Sequence, residues 1–292
     1  MLPVFYTEAQ CASQSSFSPS SIKPRYVVED WQRRFGAHIE VLGFEGVGRA
    51  AFKKVHDPAM VDAILDCERA NGFGNQSADV ARSLPYTTGS LLSAAEHAVL
   101  HQTQACSPTS GFHHASYSHP AGFCTFNGLM VTAVMLKDAG LVNRVGIIDC
   151  DVHWGDGTAD IIRRLRCDWV VHHSMGEKFS GRRHVRLLVD GETTFTRWLD
   201  HAINAVADCD LVIYQAGADP HIDDPLGGVL STDEMRQRDL RVFGALRHKP
   251  LVWNLAGGYQ SVPDAEGAAA LEPVLALHRN TMQAWLQTNG LL

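Results

Sequence analysis

Acidic residues and a histidine alternate along one short segment of the chain. Asp149, Asp151 and His153 occupy every second position of DCDVHWGDG. Side chains at alternate positions of a strand point to the same side, so these three groups are expected to lie together. Carboxylate and imidazole ligands suit Zn2+ or a similar divalent ion. The other interpretation is a turn rich in Asp and Gly, followed by the cap of a helix.

A later aspartate offers a third ligand. Asp219 ends the segment YQAGAD and precedes Pro220, where a turn residue is the ordinary interpretation. Together with Asp151 and His153 it makes a set of three protein ligands. Three ligands leave a coordination position for water or substrate, which is the arrangement of a catalytic rather than a structural metal site.

Two more segments carry groups suited to acid–base chemistry. His113 and His114 are adjacent in a loop rich in Gly and Ser, and Tyr259 follows two glycines in LAGGY. The histidines could transfer protons, bind metal or simply lie on the surface. The tyrosine could donate a hydrogen bond to an oxyanion or pack against its neighbours. The glycines allow a tight turn and a close approach of the backbone to a ligand.

The elements that would position these groups form a repeating pattern. Runs of consecutive apolar residues, typical of strands buried on both faces, occur at 145–149, 169–172, 210–214 and 250–255. Helical patterns are predicted at about 58–70, 90–103, 127–139, 157–166, 193–207 and 232–246. Thr193 and Ser231 are predicted N-caps. The alternation predicts a parallel sheet covered by helices on both sides, with ligands bound beyond the carboxyl ends of its strands.

The bulk properties favour a single soluble domain. The chain has 292 residues, 45% of them hydrophobic, and one domain over residues 1–292 is predicted. A net charge of −7 speaks against a nucleic-acid partner, and the lack of a long apolar run speaks against a membrane span. Seven scattered cysteines, no C-x-x-C and no signal peptide favour a reducing, cytoplasmic location.

Four segments carry a family resemblance. GFHHASYSHPAGFCTFN, DCDVHWGDGTADI, QAGADPHIDDPLGG and LAGGY resemble, in order and spacing, the signatures of the histone deacetylase-like family. Bacterial relatives of that family include acetylpolyamine aminohydrolases and acetoin-utilisation proteins. The resemblance implies the arginase/deacetylase fold, an α/β architecture with a mostly parallel eight-stranded sheet sandwiched between helices.

The resemblance also implies a zinc-dependent deacetylase acting on linear amides. The implied ligands of one Zn2+ per chain are Asp151, His153 and Asp219. A K+ ion near Asp149 is implied as well. The substrate would be a small-molecule or peptide N-acyl amine, such as acetyl-lysine or an acetylpolyamine.

Roles for the remaining polar residues follow from the same resemblance. His114 is the implied general base, oriented by Asp156, and His113 is its electrostatic partner, oriented by Asp149. Tyr259 is the implied donor that polarises the scissile carbonyl.

An apolar slot for the acylated amine is implied too. Gly122 and Phe123 resemble one wall, and Phe179 is the candidate for the other, with core packing as the alternative. Leu226 lies at a rim position where polyamine-selective relatives can carry an acidic residue.

The sequence departs from the family pattern at one place that bears on a cofactor. It has His172-His173-Ser174 where a Ser-x-His sequence is common, so the potassium site is altered or shifted. Two other functions stay open. One is a dimanganese ureohydrolase-like enzyme, which needs more carboxylates, and the other is a non-catalytic acyl-ligand or metal sensor. The acylated amine, its chain length, zinc versus iron and the oligomeric state are also left open.

Overall fold

Seven parallel strands form the central sheet. The computed structural model describes residues 1–13, 16–179, 188–189 and 192–292. The sheet order is β2-β1-β3-β9-β8-β4-β5, and each neighbouring pair is parallel. Its strands are β1 (Leu2–Phe5), β2 (Ile39–Leu42), β3 (Gln104–Ser107), β4 (Val145–Asp149), β5 (Val170–Ser174), β8 (Leu211–Gln215) and β9 (Leu251–Asn254). A separate antiparallel pair consists of β6 (Leu188–Val189) and β7 (Glu192–Thr193).

The helices lie between the strands in sequence. They are α1 (Lys23–Phe35), α2 (Arg49–Lys53), α3 (Pro58–Leu65), α4 (Ala78–His101), α5 (Gly128–Asp138), α6 (Asp156–Leu165), α7 (Met175–Phe179), α8 (Thr194–Ala205), α9 (Thr232–Ala245), α10 (Gly267–Ala270) and α11 (Glu272–Thr288). Two 3-10 turns occupy Glu8–Gln10 and Pro19–Ser21. Within the described residues, no helix is both long and apolar enough to cross a membrane.

Two hydrophobic cores cover the two faces of the sheet. Ile147 and Ile213 point into the core built with α3, α4 and α5, whereas Ile148 and Val212 point into the core built with α1, α9 and α11. Successive strand residues are therefore both buried, which explains the runs of consecutive apolar residues in the sequence.

The predicted architecture is confirmed, with differences in detail. The parallel sheet between helices is present, and Thr193 and Ser231 accept hydrogen bonds from the backbone N–H of Thr196 and Glu234 as N-caps. In the described part of the chain the main sheet has seven strands rather than eight. Helix α4 begins at Ala78, well before the predicted position 90, and continues through Pro85.

The sheet order brings the chemistry-bearing loops together. Strands β3, β9, β8 and β4 are consecutive neighbours, and the loops after them all leave the sheet at its carboxyl edge. Those loops carry the histidine pair, Tyr259, Asp219, and the Asp151–His153 segment, respectively. The site is therefore assembled from four adjacent strands, as expected for a parallel α/β sheet.

Candidate active site

Three ligand groups converge at this edge. The ligand atoms of Asp151, His153 and Asp219 lie within 4.8 Å of one another, and this is the one such cluster in the described residues. Nδ1 of His153 lies 2.9 Å from Oδ1 of Asp151 and 2.9 Å from Oδ2 of Asp219. The two aspartates are buried, whereas His153 is partly open to solvent. A single three-ligand cluster fits one metal ion better than the two ions of a ureohydrolase.

The negative charges of Asp151 and Asp219 would be stabilised by a bound cation. Burial and the neighbouring charge of Asp151 raise the pKa of Asp219 well above its ordinary value. Burial lowers the pKa of His153, but hydrogen bonds to the two carboxylates outweigh it and raise the pKa to about 11. Two buried carboxylates beside one imidazole nitrogen form an O,N,O donor set, which suits a divalent ion such as Zn2+.

Gly257 makes room for the two carboxylates. A Cβ atom at this position would lie 2.5 Å from Oδ2 of Asp219 and 2.7 Å from Oδ2 of Asp151. The Gly257 N–H donates a hydrogen bond to the same Asp151 oxygen at 2.8 Å. A glycine is therefore required here by the close approach of the ligands, and its amide fixes one of them.

His113 forms a buried pair with Asp149. Its Nδ1 lies 2.8 Å from Oδ2 of Asp149, and its Nε2 lies 3.7 Å from Oδ1 of Asp151. Burial lowers the pKa of His113, but the charges of Asp149 and Asp151 outweigh this effect and raise the pKa to about 9. Burial raises the pKa of Asp149, yet the charge of His113 brings it down to about 2.

His114 forms a second pair that is open to solvent. Its Nδ1 lies 2.7 Å from Oδ1 of Asp156, the first residue of α6. The side chain of His114 is 22% exposed, against 3% for His113, and the two rings are 4.1 Å apart. The arrangement places two imidazoles side by side, each held at Nδ1 by its own carboxylate.

Tyr259 approaches the cluster from the loop after β9. Its backbone N–H donates to Oδ2 of Asp224 at 2.8 Å, and its ring is nearly buried. Burial and the charges of Asp151 and Asp219 raise the pKa of the phenol above its ordinary value. The hydroxyl therefore stays protonated and is available as a hydrogen-bond donor.

Aromatic rings surround Tyr259. The Phe123 ring lies 5.7 Å from it, and the exposed Phe17 ring stacks on it at 6.3 Å with an interplanar angle of 17°. Gly122 and Phe123 both have positive φ values, 53° and 63°, and a Cβ at Gly122 would lie 2.4 Å from the His114 ring. Leu226 is exposed in the loop after β8, and its rim position stays a prediction.

The prediction of Phe179 as a slot wall is not supported. Phe179 ends α7, is 2% exposed, and packs edge-on against Phe195 and Trp198 at centroid distances of 6.1 and 6.0 Å. It belongs to the hydrophobic core, so the core-packing alternative is the one that the contacts favour. Of the two predicted walls, the structure brings Phe123 alone to the site.

Hydrogen-bond donors contact both side-chain oxygens of Asp149. Its Oδ1 accepts hydrogen bonds from Asp151 N–H and Gln215 Nε2, and its Oδ2 contacts His113. His172 Nε2, buried and without a hydrogen-bond partner among the described residues, lies 3.9 Å from Oδ2. The potassium site stays a prediction.

Several supporting residues were given no role from the sequence, although Gln215 and Asp224 lie within the segment QAGADPHIDDPLGG. Asp224 holds Tyr259, Gln215 holds Asp149, Phe17 stacks on Tyr259, and Lys23 contacts the loop before Tyr259. The fold reveals these contacts, because it brings together segments that are far apart in sequence. The paired glycines of LAGGY were a local signal of close backbone packing, and the structure places Gly257 against the carboxylates of Asp151 and Asp219.

Comparisons with known proteins agree with this site. Residues 23–179 match the family model "Histone deacetylase domain". An uncharacterized protein of Picosynechococcus sp. is 29% identical over 228 residues, which cover 72% of each chain. Histone deacetylase 2 of Arabidopsis thaliana is 34% identical over 164 residues, which cover 51% of this chain and 42% of that protein.

A solved structure shares the fold over the whole length. The acetylpolyamine aminohydrolase of Burkholderia pseudomallei superimposes with a TM-score of 0.76 over 99% of both chains, at 18% sequence identity. The HD domain of HDA15 superimposes with a TM-score of 0.70 over 99% of this chain and 94% of that one, at 20% identity. At these sequence identities, both similarities show a shared fold and nothing further.

Proposed function

The chain belongs to the histone deacetylase family, and from this we propose that it is a metal-dependent amidohydrolase that removes an acyl group from an acylated amine. The observation that carries the proposal is the convergence of the buried Asp151, His153 and Asp219 cluster with two His–Asp pairs and one protonated phenol. Amide hydrolysis needs a polarised carbonyl, an activated water and a proton for the leaving amine, and this set of groups supplies each.

We propose that the cluster holds one Zn2+ ion. A zinc ion bound there would act as a Lewis acid and lower the pKa of water toward about 7. The three residues fit it by donor type, and the Gly257 amide and Asp219 burial keep the two carboxylates in place. The protein contributes the geometry of the site and the hydrogen bonds that orient its groups.

His114 is the proposed general base. Hydrogen bonding of its Nδ1–H to Asp156 leaves the lone pair of Nε2 free to take a proton from the attacking water. The same nitrogen then returns that proton to the leaving amine. The partial exposure of His114 suits contact with water and substrate, whereas buried His113 supplies a nearby positive charge.

Tyr259 is the proposed donor to the oxyanion. Burial and the charges of Asp151 and Asp219 raise the pKa of its phenol, which keeps the proton on the oxygen. A donor at this point stabilises negative charge as it develops on the carbonyl oxygen, an effect worth about 3–4 kcal/mol for one group.

The substrate is proposed to be a small-molecule or peptide N-acyl amine whose stem passes Phe123 and the rim residue Leu226. Both are apolar, and Leu226 offers no carboxylate to an additional amine of a polyamine. This favours an amine carried on an apolar stem, such as acetyl-lysine. Gly122 brings the backbone against the His114 ring, where a Cβ atom would lie 2.4 Å from it.

The test is amine release from a panel of acetylated peptides, acetylpolyamines and longer acyl amines. Wild type loaded with zinc is compared with Tyr259→Phe and His114→Ala, with metal content measured for each. We expect kcat to fall by about 10²–10³ in the first and about 10²–10⁴ in the second. Inhibition by a hydroxamate supports the mechanism. A zinc-loaded wild type that hydrolyses no panel member would favour the non-catalytic sensor instead.

A further inference from the structure

Lys23 is a fully buried lysine directly behind the site. It is the first residue of α1 and is 0% exposed, and its Nζ donates a hydrogen bond to the carbonyl of Ala256 at 3.1 Å. Lysine is almost never fully buried without a partner that compensates its charge. Burial lowers the pKa of Lys23 to about 8, opposed by the negative charges of Asp219, Asp224 and Asp151.

The loop that Lys23 contacts is the one that carries Tyr259. Ala256 has a φ of +47°, a left-handed conformation that costs energy for a residue with a Cβ atom. Such a conformation persists where neighbouring groups hold it. Here Lys23 holds the carbonyl of Ala256, Asp151 holds the N–H of Gly257, and Asp224 holds the N–H of Tyr259.

Only one of these three restraints is a hydrogen bond from a cationic side chain; the other two are made by carboxylates. Asp151 and Asp224 are carboxylates near the metal-binding edge, whereas Lys23 reaches the loop from a helix 233 residues away in sequence. A Cβ at Gly258 would lie 3.4 Å from Nζ, so the ammonium group also lies beside Gly258, two residues further along the loop. The lysine thus contacts the loop at a carbonyl, whereas Asp151 contacts it at an N–H.

We propose that Lys23 is a positioning residue for Tyr259, acting through the carbonyl of Ala256 to hold the loop 255–259 in the conformation that places the phenol at the site. The inference rests on the proposed role of Tyr259 as the oxyanion donor. It assigns Lys23 no contact with substrate or metal.

The first test measures the loop and needs no substrate. Hydrogen exchange is followed by mass spectrometry in wild type, Lys23→Met and Lys23→Arg. Methionine keeps the stem without the donor, and arginine keeps both charge and donor. We expect exchange in residues 255–260 to be at least tenfold faster in Lys23→Met, to be largely restored in Lys23→Arg, and to stay unchanged in β8.

A matched control separates this local effect from general loss of stability. Leu199→Ala removes core contacts on α8, a helix remote in sequence from the loop, and lowers the unfolding midpoint by itself. Its exchange in residues 255–260 should stay close to wild type. The proposal would be overturned if residues 255–260 exchanged at the same rate in Lys23→Met and wild type. It would also be overturned if Lys23→Met and Leu199→Ala accelerated this exchange equally.

The second test asks whether Lys23 works through Tyr259. Hydroxamate affinity is measured for wild type, Lys23→Met, Tyr259→Phe and the double variant, all at equal metal content. When Tyr259 is present, we expect Lys23→Met to weaken hydroxamate affinity at least fivefold. In the Tyr259→Phe background, we expect the same substitution to weaken it less than twofold. For hydrolysis, the corresponding expectation is a lower kcat with KM unchanged.

The outcomes distinguish the two proposals. Fully additive effects of the two substitutions, or a loss of bound metal in Lys23→Met, would mean that the lysine acts elsewhere in the site. A wild type that binds the hydroxamate and hydrolyses no acyl amine would contradict the proposed function. The exchange experiment would still decide whether Lys23 holds the loop.

Discussion

At the scale of single residues, the site depends on carboxylates that touch imidazoles rather than substrate. Asp149 and Asp156 each hold a ring at Nδ1, and this hydrogen bond decides which nitrogen carries the proton. The two pairs have the same contacts and different exposure. This difference is the basis for proposing that the solvent-accessible pair transfers protons and that the buried pair acts electrostatically.

The substitution Asp156→Asn tests this division of labour. The new side-chain amide could present its NH2 group to Nδ1 of His114, which would place the proton on Nε2 and remove the base. We expect kcat/KM to fall about 10–100-fold, with metal content unchanged. Steady-state kinetics and metal analysis give the answer. Asp138→Asn, which changes an exposed carboxylate paired with Lys54, is the control. Equal kinetics in the two variants would contradict the role of Asp156.

Gly257 provides a prediction that concerns the metal. An alanine here would place its Cβ 2.5 Å from a ligand oxygen of Asp219 and 2.7 Å from one of Asp151. We expect Gly257→Ala to lose metal affinity by about 10–100-fold, because the carboxylates must move apart to admit the methyl group. Titration with Zn2+ measures it. Gly48→Ala is the matched control, since a Cβ at Gly48 meets nothing within 4 Å. Unchanged affinity in Gly257→Ala would refute the steric argument.

The sequence was informative about residues within one local segment. The spacing of Asp151 and His153 and the position of Asp219 after a buried strand were sufficient to predict the cluster that the structure assembles. The roles of Lys23 and Asp224 could not be found in this way, because their partners are the backbone carbonyl of Ala256 and the backbone N–H of Tyr259, which leave no pattern of residue types in the sequence. Phe179 was misplaced since an apolar residue has the same appearance in a slot wall and in a core.

At the scale of elements, Phe179 and Phe123 lie in different environments, because one ends helix α7 and the other lies in the loop after Ala121. Phe179 sits at the end of α7 in the core, and Phe123 sits half-buried beside Tyr259. Helix α4 shows a similar limit of local patterns. Pro85 and the small residues around it interrupt the apolar pattern, although tertiary packing of Val80 and Leu84 keeps the chain helical.

Truncating these two phenylalanines should have opposite consequences. Phe179→Ala removes a ring packed against Phe195 and Trp198, so the free energy of unfolding should fall by about 3–5 kcal/mol while KM stays the same. Phe123→Ala should raise KM and cost less stability. Denaturant unfolding and kinetics of both variants make the comparison. A raised KM in Phe179→Ala would instead support the original prediction that Phe179 forms a wall of the substrate slot.

At the scale of the whole molecule, a buried polar network connects distant elements to the active-site loop. His56, between α2 and α3, is 0% exposed. Its Nε2 accepts the N–H of Asn127 at 2.8 Å, and its Nδ1–H donates to the carbonyl of Ser116 at 2.9 Å. Asn127 in turn donates to the carbonyl of Ala115, next to His114. The loop of the proposed base therefore depends on a neutral imidazole.

This network makes stability sensitive to acid. Burial lowers the pKa of His56 to about 4, whereas an unfolded histidine titrates near 6.5. Between these pH values His56 is protonated in the unfolded chain and neutral in the native chain. The contribution of His56 to the free energy of unfolding therefore falls as the pH drops from about 6.5 to 4. The contribution of His56 that is lost over this interval is about 3 kcal/mol.

His56→Gln isolates that contribution, because glutamine keeps a polar side chain at the position and has no group that titrates in this range. Other histidines with shifted pKa values, such as His113 and His278, are present in both proteins and cancel in the difference. Wild type should be the more stable protein at pH 7, and its advantage over His56→Gln should shrink by about 3 kcal/mol by pH 4. Urea unfolding at several pH values measures this difference. Parallel pH profiles for the two proteins would show that His56 titrates alike in the folded and unfolded chains, and the network would then have no part in the acid response.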